Sequence, residues 1–212
     1  MLVRTQRLLE HARGRVVDAR GRVESARERV EVSERMQPLR LWLLTLSYRE
    51  VALVARICRG NRHASVRRLA FFVSWLGNGL FYLMCAGLLL WLADAGTRPV
   101  AIAAAAIGIA HIVYPWIKLA CGRPRPFEID RALAPLLPPL DQHSFPSGHA
   151  MTLTAALVPL AVAWPFAWPL VLLAWAAMAW SRIACAHHYP SDVLAGTLLG
   201  ASIAMPLAVL LL

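Results

Sequence analysis

The feature that most constrains this chain is a series of long apolar runs between residues 70 and 212. Stretches at about 70–93, 99–117, 148–164, 166–181 and 192–212 are each apolar over roughly the 20 residues that cross a hydrocarbon core. Composition agrees, since 58% of the 212 residues are hydrophobic, 16% are charged and mean hydropathy is +0.54. That is too apolar for an ordinary soluble domain. The sequence predicts an all-α, polytopic membrane helical bundle of about five transmembrane helices, preceded by an N-terminal amphipathic or interfacial helical region.

Three segments follow from the charge pattern. Net charge is +10, and 16 of the 22 Lys and Arg lie before residue 70. Residues 1–36 are Arg-rich and carry a seven-residue near-repeat that lines up Leu9, Val16, Val23 and Val30, with Ala12, Ala19 and Ala26 beside them. The seam is thin and Gly14 and Gly21 weaken it, so a solvated helix competes with a homodimer through this segment. Residues 37–69 are basic. Within them residues 39–58 are long enough to span, but Arg49 and Glu50 would then sit at mid-membrane, costing about 2.5–3.5 kcal/mol each. An interfacial helix is preferred over a first spanning one, with the run from Arg56 to Arg68 among lipid head groups. Nothing groove-reading or aromatic accompanies these arginines, so nucleic acid is not expected as a partner. Residues 70–212 are the membrane-embedded domain. The N-terminus shows no short apolar core with a small-residue cleavage site, so a removable signal peptide is not expected.

The four cysteines, Cys58, Cys85, Cys121 and Cys185, are far apart and suggest neither a zinc site nor a disulfide framework. Alternating helix direction brings Lys118, Ser147, Arg182 and Asp192, each at the end of an apolar run, to one membrane face. Three clusters meet there. Lys118, Arg123 and Arg125 lie in KLACGRPRP, with Pro124 and Pro126 stiffening the backbone. PSGH covers Pro146 to His149, where a Ser-Gly turn at a helix N-terminus offers N–H groups to an anion. SRIACAHHYPSD holds Arg182, His188 and Asp192. The spacing of His188 and Asp192 is one turn if a helix extends that far. The carboxylate then holds one ring nitrogen protonated and leaves the other as a nucleophile, with His149 as general acid and the cations stabilising phosphoryl oxygens.

Taken together, K-x6-RP at Lys118–Pro126, PSGH at Pro146–His149 and SR-x5-H-x3-D at Ser181–Asp192 resemble the signature of the type 2 phosphatidic acid phosphatase superfamily. That family includes lipid phosphate phosphatases, undecaprenyl-diphosphate phosphatases and vanadium haloperoxidases. The resemblance covers about residues 70–205 and leaves the Arg-rich N-terminus outside. It implies a helical core, a phosphohistidine on His188, a general acid at His149 and an orienting Asp192. It also implies phosphate contacts from Lys118, Arg125, Ser147, Gly148 and Arg182. No HExxH, carboxylate ladder or cysteine cage is present in the sequence, so no metal and no cofactor is expected.

Blander readings stand beside these. Arg123 and Arg131 are as consistent with interfacial snorkelling as with phosphate contact. His187 reads as a satisfied neighbour and His111 as a packed residue, while loop polarity alone accounts for Asp141 and His143. The reading that results is an integral membrane lipid phosphatase acting on a phosphomonoester or diphosphate of a lipid that enters from the leaflet. Phosphatidic acid, phosphatidylglycerol phosphate and polyprenyl phosphate or diphosphate are the candidates. Two alternatives remain: a lipid phosphotransferase using the same phosphohistidine, and a non-catalytic membrane adaptor. The chain is expected in a bacterial inner membrane. An interfacial 37–69 makes the site cytoplasmic by the positive-inside rule, and a spanning one makes it periplasmic.

Overall fold

In the computed structural model, residues 34–61, 63–92 and 97–212 are described. The heptad-like segment, with the homodimer that would rest on it, and the tight turn expected at Asp94 lie outside the described residues. The chain divides into two units, Met1–Leu41 and Trp42–Leu212. The described part of the first, residues 34–41, is helical, and the second holds the bundle.

Helix α1 covers residues 34–60. It is followed by α2 (Ala64–Leu76), α3 (Gly79–Leu92), α4 (Thr97–Cys121), the one-turn α5 (Pro126–Ile129), α6 (Gly148–Ala163), α7 (Trp168–Ala184) and α8 (Pro190–Leu211). The described residues contain no strand. In a bilayer only internally satisfied helices or closed barrels are stable, and this chain takes the first solution. The corner expected at Trp164–Phe166 is a 3-10 turn, Pro165–Ala167. By length and hydropathy, Thr97–Ile129, Pro165–Ala184 and Pro190–Leu211 each suffice to cross a membrane. The protein is a multipass integral membrane protein.

Two expected spans differ in the structure. The single run over 70–93 is a pair, α2 and α3, bent by 65°. The break falls at Gly77, where a Cβ would collide with His149 Cδ2 and Met178 Cε, so the chain turns where it must pass closest to the site. The other is α6, whose 16 residues reach about 24 Å, short of the ~30 Å core. It makes up for length by position. Ten of its residues are buried, packed against both α4 and α8. Small side chains allow this: Ala106 of α4, Ala155 of α6 and Ala204 of α8 form one fully buried cluster. Cβ atoms at Gly196 and Gly200 would meet the carbonyl oxygens of Ser147 and Met151, so α8 packs directly on the α6 backbone.

Along residues 47–58, α1 packs beside the connections that follow α4 and α7. Ser47 and Glu50 bond to Arg123, and Val51, Val54, Ala55 and Cys58 pack with Phe127, Leu133, Ile183, Ala186 and Tyr189. Glu50 is therefore paired inside the protein, which offsets the insertion cost that an unpaired carboxylate would carry.

Candidate active site

Lys118 stands in the last turn of α4, which Gly122 ends in the left-handed conformation (φ 58°). Pro124 and Pro126 then keep the chain from resuming the helix at once, and Pro126 opens α5 at its first position. This aims Arg123 and Arg125 to different sides. Arg125 faces the cleft: its Nη1 donates to the His187 carbonyl at 2.8 Å and its Nη2 to Asp141 Oδ1 at 2.6 Å. Arg123 points behind the site and is fully buried. Snorkelling thus does not describe it, and it does not line the cleft either.

The PSGH turn is fixed by two other segments. Ser144 N–H donates to the Arg123 carbonyl and Ser147 N–H to the Asp192 carbonyl, both at 2.9 Å. Ser147 precedes α6 as its N-cap residue, so the first N–H groups of α6 have no intrahelical acceptor and face the space beside Lys118. Arg182, in the last turn of α7, donates from Nη1 to the Ser74 hydroxyl and from Nη2 to His187 Nδ1 at 2.7 Å. His187 Nε2 lies 2.8 Å from the Leu137 carbonyl. That oxygen can only accept, so Nε2 carries the proton, Nδ1 accepts from the guanidinium, and the ring is neutral. Burial first, and then the Arg182 charge, hold the His187 pKa down to about 3. His187 is a satisfied neighbour that fixes Arg182.

His188 precedes α8, whose first residue is Pro190, so His188 and Asp192 do not share a helical turn as the spacing suggested. Ala186 in the left-handed region (φ 58°) turns the chain back, and His188 N–H bonds to the Arg182 carbonyl at 3.3 Å. His188 Nδ1 ends 3.5 Å from Asp192 Oδ2, which leaves Nε2 as the cleft-side nitrogen. Asp192 is fully buried and accepts from Arg123, Ser144 and the Tyr189 N–H. Burial, and next the charges of Arg182, Arg125 and Lys118, keep the His188 pKa well below the usual imidazole range, so the ring is neutral. A neutral imidazole is the form that attacks phosphorus.

These groups surround an open cleft of about 560 Å³. Lys118, Arg125, Gly148, His149, Arg182 and His188 line it, while Ser147 and Asp192 lie just behind its wall. The far side is apolar, built from Leu83, Ala104, Ile107, Gly108 and Leu140. Among the described residues no group of three or more His, Cys, Asp or Glu could hold a metal. Among the described residues six buried side-chain polar atoms have no partner; Arg182 Nε and the Tyr82 hydroxyl belong to residues lining the cleft, Ser147 Oγ to the residue just behind its wall, and His188 Nδ1 faces Asp192. Of these, Arg182 Nε is a donor left available beside the cleft.

Sequence reasoning missed what occupies the cations. Lys118 Nζ donates to Asp141 Oδ2 at 2.6 Å, Arg125 holds Oδ1, and the Tyr114 hydroxyl donates to Oδ2 at 2.7 Å. Burial works against charge on Asp141, but Lys118, Tyr114 and Arg125 outweigh it and hold its carboxyl below the usual range. A lone acid in a proline-rich loop carries no signal for such a role. His143 does not line the cleft, and His111 lines its apolar side with Nδ1 2.9 Å from the Ile107 carbonyl.

A family model described as the PAP2 superfamily matches residues 99–211, more than half of the chain. The chain belongs to the PAP2 superfamily. Its PAP2 region includes all three motif clusters, whereas α1 to α3 lie outside the match. It is 39% identical over 102 residues to decaprenylphosphoryl-5-phosphoribose phosphatase of Mycobacterium tuberculosis (strain H37Rv), covering 48% of this chain and 55% of that protein. The chain thus spans about half the length of that curated relative. An undecaprenyl-diphosphatase of Sulfolobus acidocaldarius is 30% identical over 142 residues, 66% of this chain and 68% of its own. The PAP2 fold is shared with two solved structures, each at a TM-score of 0.62. One is the PAP2-type phosphatidylglycerolphosphate phosphatase of Bacillus subtilis (19% identical, 85% of this chain, 94% of that one). The other is Aquifex aeolicus LpxE (21% identical, 74% and 93%).

Proposed function

We propose that the protein hydrolyses a phosphate monoester or diphosphate carried by a membrane lipid, through a phosphohistidine on His188. The observation that carries this is the convergence of Lys118, Arg125, Arg182 and the α6 N-terminus on one cleft whose other wall is apolar, with the unpartnered Ser147 Oγ just behind it. Such donors match a tetrahedral dianion, at about 1.5–3 kcal/mol for each charged hydrogen bond. His188 Nε2 attacks phosphorus, the bond from phosphorus to the lipid oxygen breaks, and His149 gives that oxygen a proton. Water then attacks the phosphohistidine, returns a proton to His149 and releases inorganic phosphate. Asp192, held behind His188 by Arg123 and Ser144, offsets the positive charge the ring acquires. A bound phosphate dianion beside His149 favours the protonated form this requires.

Both curated relatives act, by their names, on polyprenyl-linked phosphates, and the apolar wall suits such a chain, so a polyprenyl phosphate or diphosphate is the favoured substrate class. The packing of α1 residues 51–58 beside Phe127, Leu133, Ile183, Ala186 and Tyr189 supports a helix lying along the membrane surface. The site then faces the cytoplasmic side of an inner membrane.

The test is phosphate release from purified polyprenyl phosphates, phosphatidic acid and phosphatidylglycerol phosphate in detergent. His188→Ala is expected to abolish release in a folded protein, and an acid-labile phosphoenzyme to be trapped in the wild type alone. Full turnover by His188→Ala would sink the mechanism.

A further inference from the structure

Helix α1 has no counterpart in the family match, yet it places two polar side chains one turn apart, Ser47 and Glu50, directly behind the site. They meet at Arg123. Its Nε donates to Ser47 Oγ at 2.9 Å, its Nη1 to Asp192 Oδ1 and Ser191 Oγ at 2.6 Å each, and its Nη2 to Glu50 Oε2 at 3.1 Å. The guanidinium stacks 4.1 Å from the Tyr189 ring centroid. Ser191 closes the ring of contacts by donating to Glu50 Oε2 at 2.7 Å. Arg123, Ser47, Glu50 and Ser191 do not line the cleft, so they act on the reaction only through Asp192.

Charge balance gives the network its sense. Arg123 paired with Asp192 alone would form a neutral unit, and Asp192 would offer His188 little field. With Glu50 sharing the same guanidinium, two carboxylates face one cation and a net negative charge remains behind His188. That charge matters when Nε2 bonds to phosphorus, because the imidazole ring then becomes positive in a buried place where such charge is poorly screened. We infer that Glu50, supplied by α1, is a positioning residue for the reaction: it shares Arg123 with Asp192 and keeps the Asp192 charge available to His188. The inference rests on the phosphohistidine reading above.

A scaffold role for the same ion pair predicts something different. Removing one negative charge from behind a site that binds a dianion leaves phosphate bound as well or better, while phosphorylation of His188 slows. Loss of a scaffold loosens binding and turnover together. The experiment uses the full chain in detergent, with inorganic phosphate as the probe. Glu50→Gln is expected to lower kcat roughly tenfold or more, the range seen when groups orienting a functional histidine are removed. The inhibition constant of inorganic phosphate is expected to hold or fall. Glu50→Asp keeps the charge and is expected to restore most of kcat. Wild-type kcat in Glu50→Gln, a phosphate inhibition constant that rises as kcat falls, or failure of both variants to fold would each overturn the inference. His188→Ala measured alongside separates the two readings. If it stays active, the phosphohistidine reading fails. If it is dead while Glu50→Gln is unaffected, only the role of Glu50 fails.

Discussion

Lys118 and Arg125 hold opposite oxygens of Asp141 at 2.6 Å, so a carboxylate of the protein sits where the two cations proposed to bind phosphate point. Two buried cations at close quarters repel and are costly to desolvate, and Asp141 offsets both effects until an anion replaces it. At 32% side-chain exposure in an irregular loop, it is the most accessible of the three and the one able to yield. Asp141→Asn keeps a hydrogen-bonding amide but removes the competing charge. Phosphate is expected to bind more tightly, by roughly fivefold if the competing pairs contribute about 1 kcal/mol. Product inhibition by inorganic phosphate measures this, and weaker inhibition would show instead that the carboxylate chiefly orients the cations. Arg123 and Arg125, two residues apart in one motif, part company at this scale. The first has its partners behind the site and the second at the cleft.

At the scale of elements, the site is a meeting of helix ends. The C-terminal turns of α4 and α7 bring Lys118 and Arg182, the N-terminal turns of α6 and α8 bring His149 and Asp192, and the closeness of α6 to α8 sets the spacing between them. Glycine at 196 makes that closeness feasible, because a Cβ there would strike the Ser147 carbonyl and press on the Met151 amide. Backbone cannot yield as a flexible side chain does. Gly196→Ala is therefore expected to destabilise the protein by about 1–3 kcal/mol and to lower turnover by shifting PSGH away from His188. Thermal unfolding in detergent and phosphate release would check it. A variant with unchanged stability and activity would show that α8 can slide without cost. Asp192 is tied to PSGH through its backbone carbonyl, which accepts the Ser147 N–H at 2.9 Å, while its carboxylate accepts the Tyr189 N–H at 2.9 Å and closes the start of α8.

For the whole molecule, the open question of sidedness has a direct measurement. In a cysteine-free background, Gln142→Cys puts a thiol at an exposed position of the active-face loop. An impermeant thiol reagent is expected to leave it unlabelled in intact cells and to label it after lysis; labelling in intact cells would turn the site outward. How much of this could be read from the chain differs by feature. The apolar runs made a helical membrane bundle legible, because a bilayer leaves a chain few other ways to satisfy its backbone. The three motifs made the residues around the cleft legible, because helix direction alone brings their ends to one face. Other features depended on rotamers and on approach between distant segments. Gly77, at the break between α2 and α3, leaves room for His149, 72 positions away in the chain, where a Cβ would collide. Glu50 looked like a cost in the sequence because its partners, Arg123 and Ser191, lie 73 and 141 residues further on. The sequence by itself determined which residues carry the charge and the histidines and which side of the bundle they share. Only the tertiary structure decided which of those charges face the cleft and which neutralise one another behind it, since pairing of buried charges is settled by distances of a few ångströms that no local pattern encodes.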